Sequence, residues 1–307
     1  MDGTPRGRLM LLDAASLYFR AYYGVPDSIT APNGTPVNAV RGLLDFIAHL
    51  ITVRSPDRLV ACLDADWRPA FRIALLPSYK EHRLASPATG AEDVPAALEA
   101  QVPIILDVLT ALGLAHVGVA GFEADDVIGT LAAHDPGPVD VVTGDRDLFQ
   151  LVDDARGVRI LYTARGVGKH EVVDEAVVTA KYGIPGRSYA DFAALRGDPS
   201  DGLPGVKGIG DKTAATLIGR FGSIEGLIEA IDDPAAEMSH TIRHRLAEAI
   251  DYLKVAPDVV RVRSDVPLPV YDDALPSEPS DPEALVALGE RWNLDDSLNR
   301  LLNALAR

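Results

Sequence analysis

The sequence predicts an α/β fold, with a mostly parallel central sheet flanked by helices and followed by a helical subdomain. Three observations predict it. Short segments that are continuously apolar, without alternation, indicate strands buried on both faces. Between them lie segments with apolar residues at three- and four-residue spacing, which indicate helices. After about residue 175 the strand signals give way to helical patterns joined by glycine-rich turns.

The strand and helix signals alternate along the first half of the chain. The predicted strands are 8–12, 59–63, 139–143 and 158–162. The predicted helices between them are 37–53, 103–112 and 124–133. Strands separated by helices pair in parallel, because the helix returns the chain to the same end of the sheet. A Pro- and Asp-rich stretch, 265–282, breaks any regular pattern, and a final amphipathic helix is predicted at 283–305.

We expect two regions in this chain. Residues 1–175 form the α/β core and residues 176–307 the helical subdomain, and no internal repeat divides either region. The 307 residues, 47% of them apolar, are enough for a packed core.

Composition limits the cellular setting and the partners. The single cysteine, Cys62, lies in an apolar run, which excludes a disulfide framework or cysteine-based zinc site and fits a reducing cytosol. There is no signal-peptide pattern and no stretch near the ~20 apolar residues that span a bilayer, so we expect a soluble, cytoplasmic protein. A net charge of −16 argues against a nucleic-acid partner, but only weakly, because carboxylates that hold cations are not bare charge.

Acidic residues follow the predicted strands at the point where each strand ends. Asp13 comes directly after RLMLL, Asp64 after LVACL, and Asp145 and Asp147 follow VDVVTG. In open α/β sheets the ligand crevice lies beyond the carboxyl ends of the strands. We therefore expect these side chains to converge at one edge of the sheet.

Two further acidic segments extend this group. The segment GFEADDVIGTL places Glu123, Asp125 and Asp126 in the first turn of a helix, and LRGDPSDGLPG places Asp198 and Asp201 before a glycine-rich turn. Each acid alone has an ordinary explanation as a helix-terminal charge or a turn residue. Together they would repel, by roughly 4 kcal/mol for a pair ~4 Å apart at an effective dielectric near 20. Oxygen-only ligands indicate Mg²⁺ or Mn²⁺, with Asp198 and Asp201 completing a second metal position.

Two cations held by carboxylates suit hydrolysis of a phosphodiester, since one activates a water and the other stabilises the leaving oxygen. The segment GVKGIG predicts a tight hairpin whose amides, with the following helix N-terminus, accept a phosphate, and Lys207 and Lys212 flank it. The alternative is an ordinary corner between two helices.

The segment 76–95, LPSYKEHRLASPATGAEDVP, lacks a core pattern and is predicted to be exposed. Its Tyr79, Lys80, His82 and Arg83 suit contact with a single strand by charge and stacking, and the alternative is a solvated loop. Three more residues lie within a few positions of the carboxylate segments, although spacing does not show where they point: Arg20, Tyr22 and Arg72.

Taken together, these motifs resemble the bacterial 5′ nuclease family, which comprises the N-terminal nuclease domain of DNA polymerase I and its stand-alone relatives. The resemblance covers most of the chain and rests on motifs in the family's order and approximate spacing: LLDAASLYFRAY, CLDADWRPAFR, LPSYKEHR, GFEADDVIGTLA, VVTGDRDLFQLV and LRGDPSDGLPGVKGIGDKTA. It implies a divalent-metal-dependent 5′-3′ exonuclease and 5′-flap endonuclease of DNA replication and repair, which acts as a monomer on duplex DNA with a single-stranded 5′ flap or a 5′ end and is associated with the nucleoid. The chain ends at Arg307 without a polymerase-like continuation, so we expect a free-standing nuclease or an excised domain.

The resemblance also implies roles for individual residues. The metal ligands would be Asp13, Asp64, Glu123, Asp125, Asp126, Asp145, Asp147, Asp198 and Asp201. In a helical arch at about 76–95, Lys80 and Arg83 would approach the scissile phosphate, with Arg72 as a further phosphate contact, and Arg20 and Tyr22 would lie near the cleavage junction. A helix-hairpin-helix clamp at about 197–220 would bind duplex phosphates through Gly205, Lys207, Gly208, Gly210 and Lys212, while carbonyls of Val206 and Ile209 hold a monovalent cation, commonly K⁺.

Two departures and three alternatives accompany this interpretation. Gly202 stands where many relatives carry Asn, and the chain is more acidic than a typical DNA-binding protein. A catalytically inactive DNA-junction binder would have lost acids, whereas all nine are present. An aspartyl phosphatase would carry a second acid two residues after Asp13, where Ala15 stands. An RNA-cutting nuclease of the compact acidic-site type shares the strand-end carboxylates and remains the main alternative.

Overall fold

The computed structural model describes residues 7–86, 88 and 90–306. Its strands form one six-stranded sheet in the order β3-β2-β1-β4-β5-β6, in which only β6 runs antiparallel, against β5. The strands are β1 (Leu9–Asp13), β2 (Arg58–Cys62), β3 (Ala115–Val117), β4 (Val139–Thr143), β5 (Val158–Tyr162) and β6 (Glu171–Val173). The predicted mostly parallel sheet is confirmed, and the two strands that were not predicted are only three residues long.

Helices cover the sheet and build the second half of the chain. In the first half they are α1 (Ala14–Gly24), α2 (Asn38–Arg54), α3 (Ala70–Leu75), α4 (Ala96–Glu99), α5 (Val102–Leu112) and α6 (Ala124–His134). In the second half they are α7 (Glu175–Tyr182), α8 (Tyr189–Arg196), α9 (Asp211–Phe221), α10 (Ile224–Asp232), α11 (His240–Glu248), α12 (Ile250–Val260), α13 (Pro282–Trp292) and α14 (Asp295–Leu305). Short 3₁₀ helices lie at Glu81–Arg83, Asp147–Leu151, Val167–Lys169 and Gly186–Ser188.

The sheet separates two hydrophobic cores. Successive residues of β1 face opposite sides, so Leu9 and Leu11 pack with α6 and the helical region, whereas Met10 and Leu12 pack with α2, α5 and α14. Both faces are covered, and for this reason the strands are continuously apolar instead of alternating. No helix in the described part of the chain has both the length and the apolar character needed to cross a membrane.

The strand order places a crevice in the middle of the sheet. From β1 the chain moves outward through β2 and β3, and it then returns to the other side of β1 to form β4 and β5. The connections on the two sides of β1 therefore diverge between β1 and β4, the position at which open α/β sheets bind ligands. Asp13 ends β1 and Thr143 ends β4, so both lie at this point.

The C-terminal segment differs from the prediction in two respects. The single helix expected at 283–305 is two helices, because Asn293 adopts a left-handed conformation, with φ of 55°, that ends α13. This pair was predicted to belong to the helical subdomain, yet α14 packs on α2, where Arg300 pairs with Asp45 at 2.9 Å. The preceding stretch is irregular, as expected, and runs beside β2, where the Leu59 N–H donates to the Asp273 carbonyl.

Candidate active site

A cavity of about 1300 Å³ opens at the carboxyl ends of the central strands. We call it the basin. Six of the nine predicted carboxylates line it, from five segments of the chain: Asp13, Asp64, Glu123 with Asp125, Asp145, and Asp198. The predicted convergence of acids from distant parts of the sequence is therefore present in the fold.

Asp13 is fixed at the centre of this group by its neighbours. It is the last residue of β1 and caps α1, where its carboxylate accepts a hydrogen bond from the Ser16 N–H at 3.1 Å. Its other oxygen accepts from the Thr143 hydroxyl of β4 at 2.7 Å. The side chain is only 6% exposed. Burial, with the nearby Asp64 charge, raises the pKa of Asp13 from 3.8 to about 7.

The start of α6 brings three acids to the same region. Glu123 is the residue that caps this helix, and it shares reciprocal backbone hydrogen bonds with Asp126. Asp64, two residues beyond β2, accepts from the Ala124 N–H at 2.7 Å. The free amides of a helix N-terminus favour carboxylates there. Asp125 lies between the capping pair and faces the basin, so one short segment supplies both a structural cap and a candidate ligand.

Asp126 and Arg72 lie outside the basin, which corrects two expectations. Both are buried, at 0% and 2% exposure, and two hydrogen bonds of 2.7 Å join the guanidinium to the two carboxylate oxygens. Arg72 also donates to Glu123 and to the Val259 carbonyl. Since these partners occupy both groups, Asp126 is not placed to bind a metal and Arg72 is not placed to bind a phosphate. Sequence spacing correctly placed both residues near the site, but it does not show in which direction their side chains point.

A second acidic group adjoins the first. Asp147 opens a 3₁₀ helix after β4, and its N–H donates to Asp145 at 2.8 Å. Burial, together with the charges of Asp145, Asp201 and Asp198, raises the pKa of Asp147 well above its usual value. Asp147 and Asp201 are each 9% exposed and lie just behind the cavity lining. Asp145 therefore belongs to both acidic groups.

The donor set fits hard divalent cations. Burial and the charges of Asp13 and Asp145 raise the pKa of Asp125 well above its usual value, and a cation among these groups would relieve this crowding. In the described residues, no three acidic, His or Cys side chains lie close enough to form a complete ligand group as they stand. No His or Cys is among the described residues that line the basin, so its candidate metal ligands are oxygen donors.

The expected arch residues meet the basin from the segment after α3. Lys80 forms an ion pair with Glu123, and Arg83 pairs with Asp201 at 2.9 Å. Both line the basin. Tyr79 was expected to be exposed for stacking, and this is wrong: it is 5% exposed, and its hydroxyl donates to Glu123 at 2.8 Å. In the described part of 76–95, the helical structure is limited to the 3₁₀ turn Glu81–Arg83. Residues 87 and 89 are not among the residues that the structure describes.

Arg20 lines the basin, whereas Tyr22 does not. Tyr22 is half-buried and borders a smaller groove formed with the residues that follow it. The next residue, Tyr23, is 71% exposed and borders both cavities. A one-residue shift along a helix turns the side chain by about 100°, and this change cannot be read from proximity in sequence.

Helices α8 and α9, with the turn between them, form a helix-hairpin-helix. Gly205 and Gly208 have φ of +64° and +78°, so the turn needs glycine at both positions. Its surface residues are half-buried Gly205 and exposed Lys207, Gly208, Gly210 and Lys212. Val206 and Ile209 bury their side chains in the core, and the Val206 carbonyl accepts from the Ile209 N–H at 2.9 Å. The hairpin joins the basin through the loop that carries Asp198.

Two family models match adjacent parts of the chain. Residues 8–183 match the 5′-3′ exonuclease N-terminal resolvase-like domain, and residues 184–283 match the 5′-3′ exonuclease C-terminal SAM fold. The chain belongs to the 5′-3′ exonuclease family. It is 63% identical over 299 residues to a 5′-3′ exonuclease of Streptomyces coelicolor, covering 96% of this chain and 99% of that protein. It is 49% identical over 312 residues to a 5′-3′ exonuclease of Mycobacterium tuberculosis, covering 98% of each.

A solved structure shares the architecture of this 5′-3′ exonuclease. The flap endonuclease of bacteriophage T5, solved as a pseudo-enzyme-product complex with DNA and metal ions, superposes with a TM-score of 0.64. The comparison covers 98% of this chain and 100% of that one at 18% identity, so the likeness is one of fold. The predicted fold class and the predicted family are confirmed, and the chain is an enzyme of the nuclease class.

Sequence reasoning missed several residues of the exonuclease site. Thr143 and Ser16 position Asp13 and the β4 turn, since the Ser16 hydroxyl accepts from the Gly144 N–H at 2.9 Å. Ser16 lies three residues after Asp13, which is a capping spacing, and this signal would have found it. Glu92 lines the basin from the segment 76–95, but nothing in its local sequence distinguishes it from a surface acid.

Proposed function

We propose that the chain is a divalent-metal-dependent 5′-3′ exonuclease and a structure-specific 5′-flap endonuclease that hydrolyses DNA in replication and repair. The observation that supports this most directly is the convergence of carboxylates from five chain segments at the β1–β4 crevice, next to a helix-hairpin-helix. Phosphodiester hydrolysis needs cations at the reacting phosphate, and carboxylates in this number can hold them.

Two cation positions follow from the grouping of the acids. Asp13, Asp64, Asp125 and Asp145, with Glu123, would hold the first, and Asp145, Asp147, Asp198 and Asp201 would hold the second. Cations in these positions would activate a water and neutralise charge on the phosphate. We propose Mg²⁺ or Mn²⁺, because every candidate donor is an oxygen.

Protein side chains would position the substrate around these cations. The Lys207 and Lys212 ammonium groups and the hairpin amides would hold the duplex phosphates, which fixes the register of the DNA without reading its sequence. Lys80 and Arg83 lie at the basin with acidic partners, and a phosphate that enters would share their hydrogen bonds. Arg72 and Asp126 would hold Glu123 in place from behind the basin.

The finer features of this function are also proposals. The carbonyls of Val206 and Ile209 would face a monovalent cation, commonly K⁺, when the hairpin binds duplex. We further propose that the enzyme acts as a monomer in the cytoplasm, in association with the nucleoid.

The test compares matched DNA and RNA substrates with a 5′ single-stranded flap on a duplex. With Mg²⁺, we expect cleavage of the DNA flap near its junction, together with short products from recessed 5′ ends, and we expect EDTA to stop both. Product sizing on denaturing gels gives the balance of the two activities. Preferential cleavage of the RNA flap would instead support the RNA-cutting nuclease, and binding without cleavage in any divalent cation would support the inactive junction binder.

A further inference from the structure

The basin is larger than its carboxylate group, and part of its remaining lining is basic. Besides Lys80 and Arg83, four cationic side chains line it: Arg20, Arg146, Arg165 and Lys169. We call these four residues the basic wall. They come from α1, from the turn after β4, and from the connection between β5 and β6. This concentration of positive charge stands out in a chain whose net charge is −16.

The basic wall is not neutralised by the protein itself. In residues 7–86, 88 and 90–306, no carboxylate oxygen lies within the 4 Å ion-pair distance of these four side chains. By contrast, Lys80 and Arg83 on the arch side are paired with Glu123 and Asp201. Within the same described ranges, the Nε of Arg20 is buried without a hydrogen-bond partner. Arg146 is hydrogen-bonded to Tyr182, so the wall offers a phosphate one buried unpartnered donor, on Arg20, and exposed cations without an acidic partner.

The sheet order separates two members of the wall, Arg165 and Lys169, from the carboxylate group. The acids stand at the ends of β2, β1 and β4, whereas Arg165 and Lys169 follow β5, on the other side of β4. Strands lie about 4.8 Å apart, so the end of β5 is roughly 10 Å from that of β1. Groups at this distance would contact phosphates that neighbour the scissile one rather than the scissile phosphate itself.

The connection between β5 and β6 leaves its backbone open on the same side. Gly166 has φ of +100°, and a Cβ built on Gly166 or Gly168 would meet nothing within 4 Å. Arg165 and Lys169 flank these glycines and are exposed. A backbone free of side chains between two cations allows close approach of a phosphate chain.

We propose that the basic wall is a second DNA subsite, which binds backbone phosphates of nucleotides that flank the scissile bond. This inference rests on the proposed function, because it assumes that the carboxylate group takes the scissile phosphate. The ligand chemistry is a nucleic-acid backbone, and it has two sources in a flap substrate: the single-stranded 5′ flap, or the duplex upstream of the junction.

The test removes two wall cations whose side chains form no hydrogen bond or ion pair with the described residues. The double substitution Arg165→Ala with Lys169→Ala deletes two exposed charges, and the control Lys181→Ala with Arg187→Ala deletes two exposed charges outside the basin. Affinity is measured by fluorescence anisotropy with Ca²⁺ in place of Mg²⁺, as a function of salt. The wall variant should bind a flap substrate roughly tenfold more weakly, and its log K against log salt slope should fall by about 1.4 to 1.8.

Three substrates distinguish the source of the phosphates. One carries a flap and an upstream duplex, one lacks the upstream strand, and one is nicked without a flap. A loss confined to substrates with a flap assigns the wall to the single strand, and a loss confined to those with an upstream duplex assigns it to that duplex. Both outcomes support the subsite.

An unchanged salt slope in the wall variant, or an equal loss in the control, would overturn the subsite. Flap cleavage by the parent protein with Mg²⁺ is scored separately. If the parent cleaves while the wall variant binds normally, only the subsite fails. If the parent binds but does not cleave, the proposed function fails and the binding data still decide the subsite. Equal melting temperatures of the three proteins show that the fold is retained.

Discussion

At the scale of single residues, adjacent acids in the first turn of α6 have opposite roles. Asp125 lines the basin, and burial together with nearby acids raises its pKa. Keeping Asp125 ionised therefore lowers the stability of the fold. Asp126 is fully buried and neutralises Arg72 through two hydrogen bonds. One carboxylate is therefore placed for ligand binding and the other for stability.

This contrast predicts different outcomes for the same isosteric change. Asp125→Asn should lower single-turnover cleavage by roughly 100-fold or more while leaving the melting temperature equal or higher, because repulsion is relieved. Asp126→Asn should destabilise the fold by about 3 kcal/mol, since it leaves Arg72 buried with less compensation. Urea unfolding and cleavage assays on both variants check this. Marked unfolding of the Asp125 variant in metal-free buffer would contradict it.

Lys80 supports a second prediction at this scale. Lys80→Ala should slow the chemical step more than it weakens duplex binding, because the side chain lies at the basin and not at the hairpin. Glu123 keeps its hydrogen bonds from Arg72 and Tyr79 in this variant, so the fold should survive. Single-turnover rates with saturating enzyme separate chemistry from binding. Equal rates for variant and parent would remove Lys80 from the mechanism, and Lys80→Arg tests whether charge alone suffices.

At the scale of elements, the helix-hairpin-helix makes a sharp prediction about glycine. Gly208→Ala should destabilise the protein by about 1–2 kcal/mol and weaken duplex binding about tenfold, because φ is +78° and a Cβ would lie 2.8 Å from the Arg245 guanidinium. The control is Gly219→Ala in α9, where a Cβ meets nothing and alanine favours the helix by roughly 0.5–1 kcal/mol. Duplex affinity and urea unfolding are measured for both. Equal affinity of the two variants would argue against a role for the hairpin in binding.

The helices and strands also show how much of the secondary structure can be predicted from sequence patterns. Each of the four predicted strands agrees with the structure to within one residue, because strands buried on both faces are long apolar runs. The strands β3 and β6 are three residues long and carry too little pattern to be predicted. The break between α13 and α14 depends on one left-handed residue, Asn293, inside a continuous apolar periodicity. Local signals predict long elements, whereas short ones depend on tertiary packing.

Prediction of the site was limited in a similar way. The motifs predicted which acids would gather, since strand ends in a parallel sheet meet at one edge. They did not predict that Arg72, Tyr79 and Asp126 face inward, because proximity along the chain does not determine the direction of a side chain. A buried ion pair between distant segments becomes visible only in the fold.

At the scale of the whole molecule, a net charge of −16 is reconciled with a nucleic-acid substrate by the segregation of charge. The carboxylates concentrate at the β1–β4 crevice, while the basic wall presents positive charge elsewhere in the basin and the hairpin lysines present it outside the basin. Net charge governs long-range attraction, but the local distribution determines what binds at a surface. Cations held in the basin would further reduce the negative charge that incoming DNA meets.

Stability of the whole fold should therefore depend on divalent cations in a pH-dependent manner. The pKa of Asp13 is raised to about 7 in the folded protein, so between pH 4 and 7 the folded state holds more protons than the unfolded state, and stability of the cation-free protein falls as pH rises. Bound cations displace these protons.

At a concentration of about 100 Kd, Mg²⁺ should raise the free energy of unfolding by roughly 2.7 kcal/mol at pH 8 and by much less at pH 5.5, where protons compete with the cation for the carboxylates. Thermal unfolding with Mg²⁺ or EDTA at both pH values measures this, with Asp125→Asn as the variant in which the effect should shrink. An equal Mg²⁺ effect at the two pH values would show that the ions bind elsewhere.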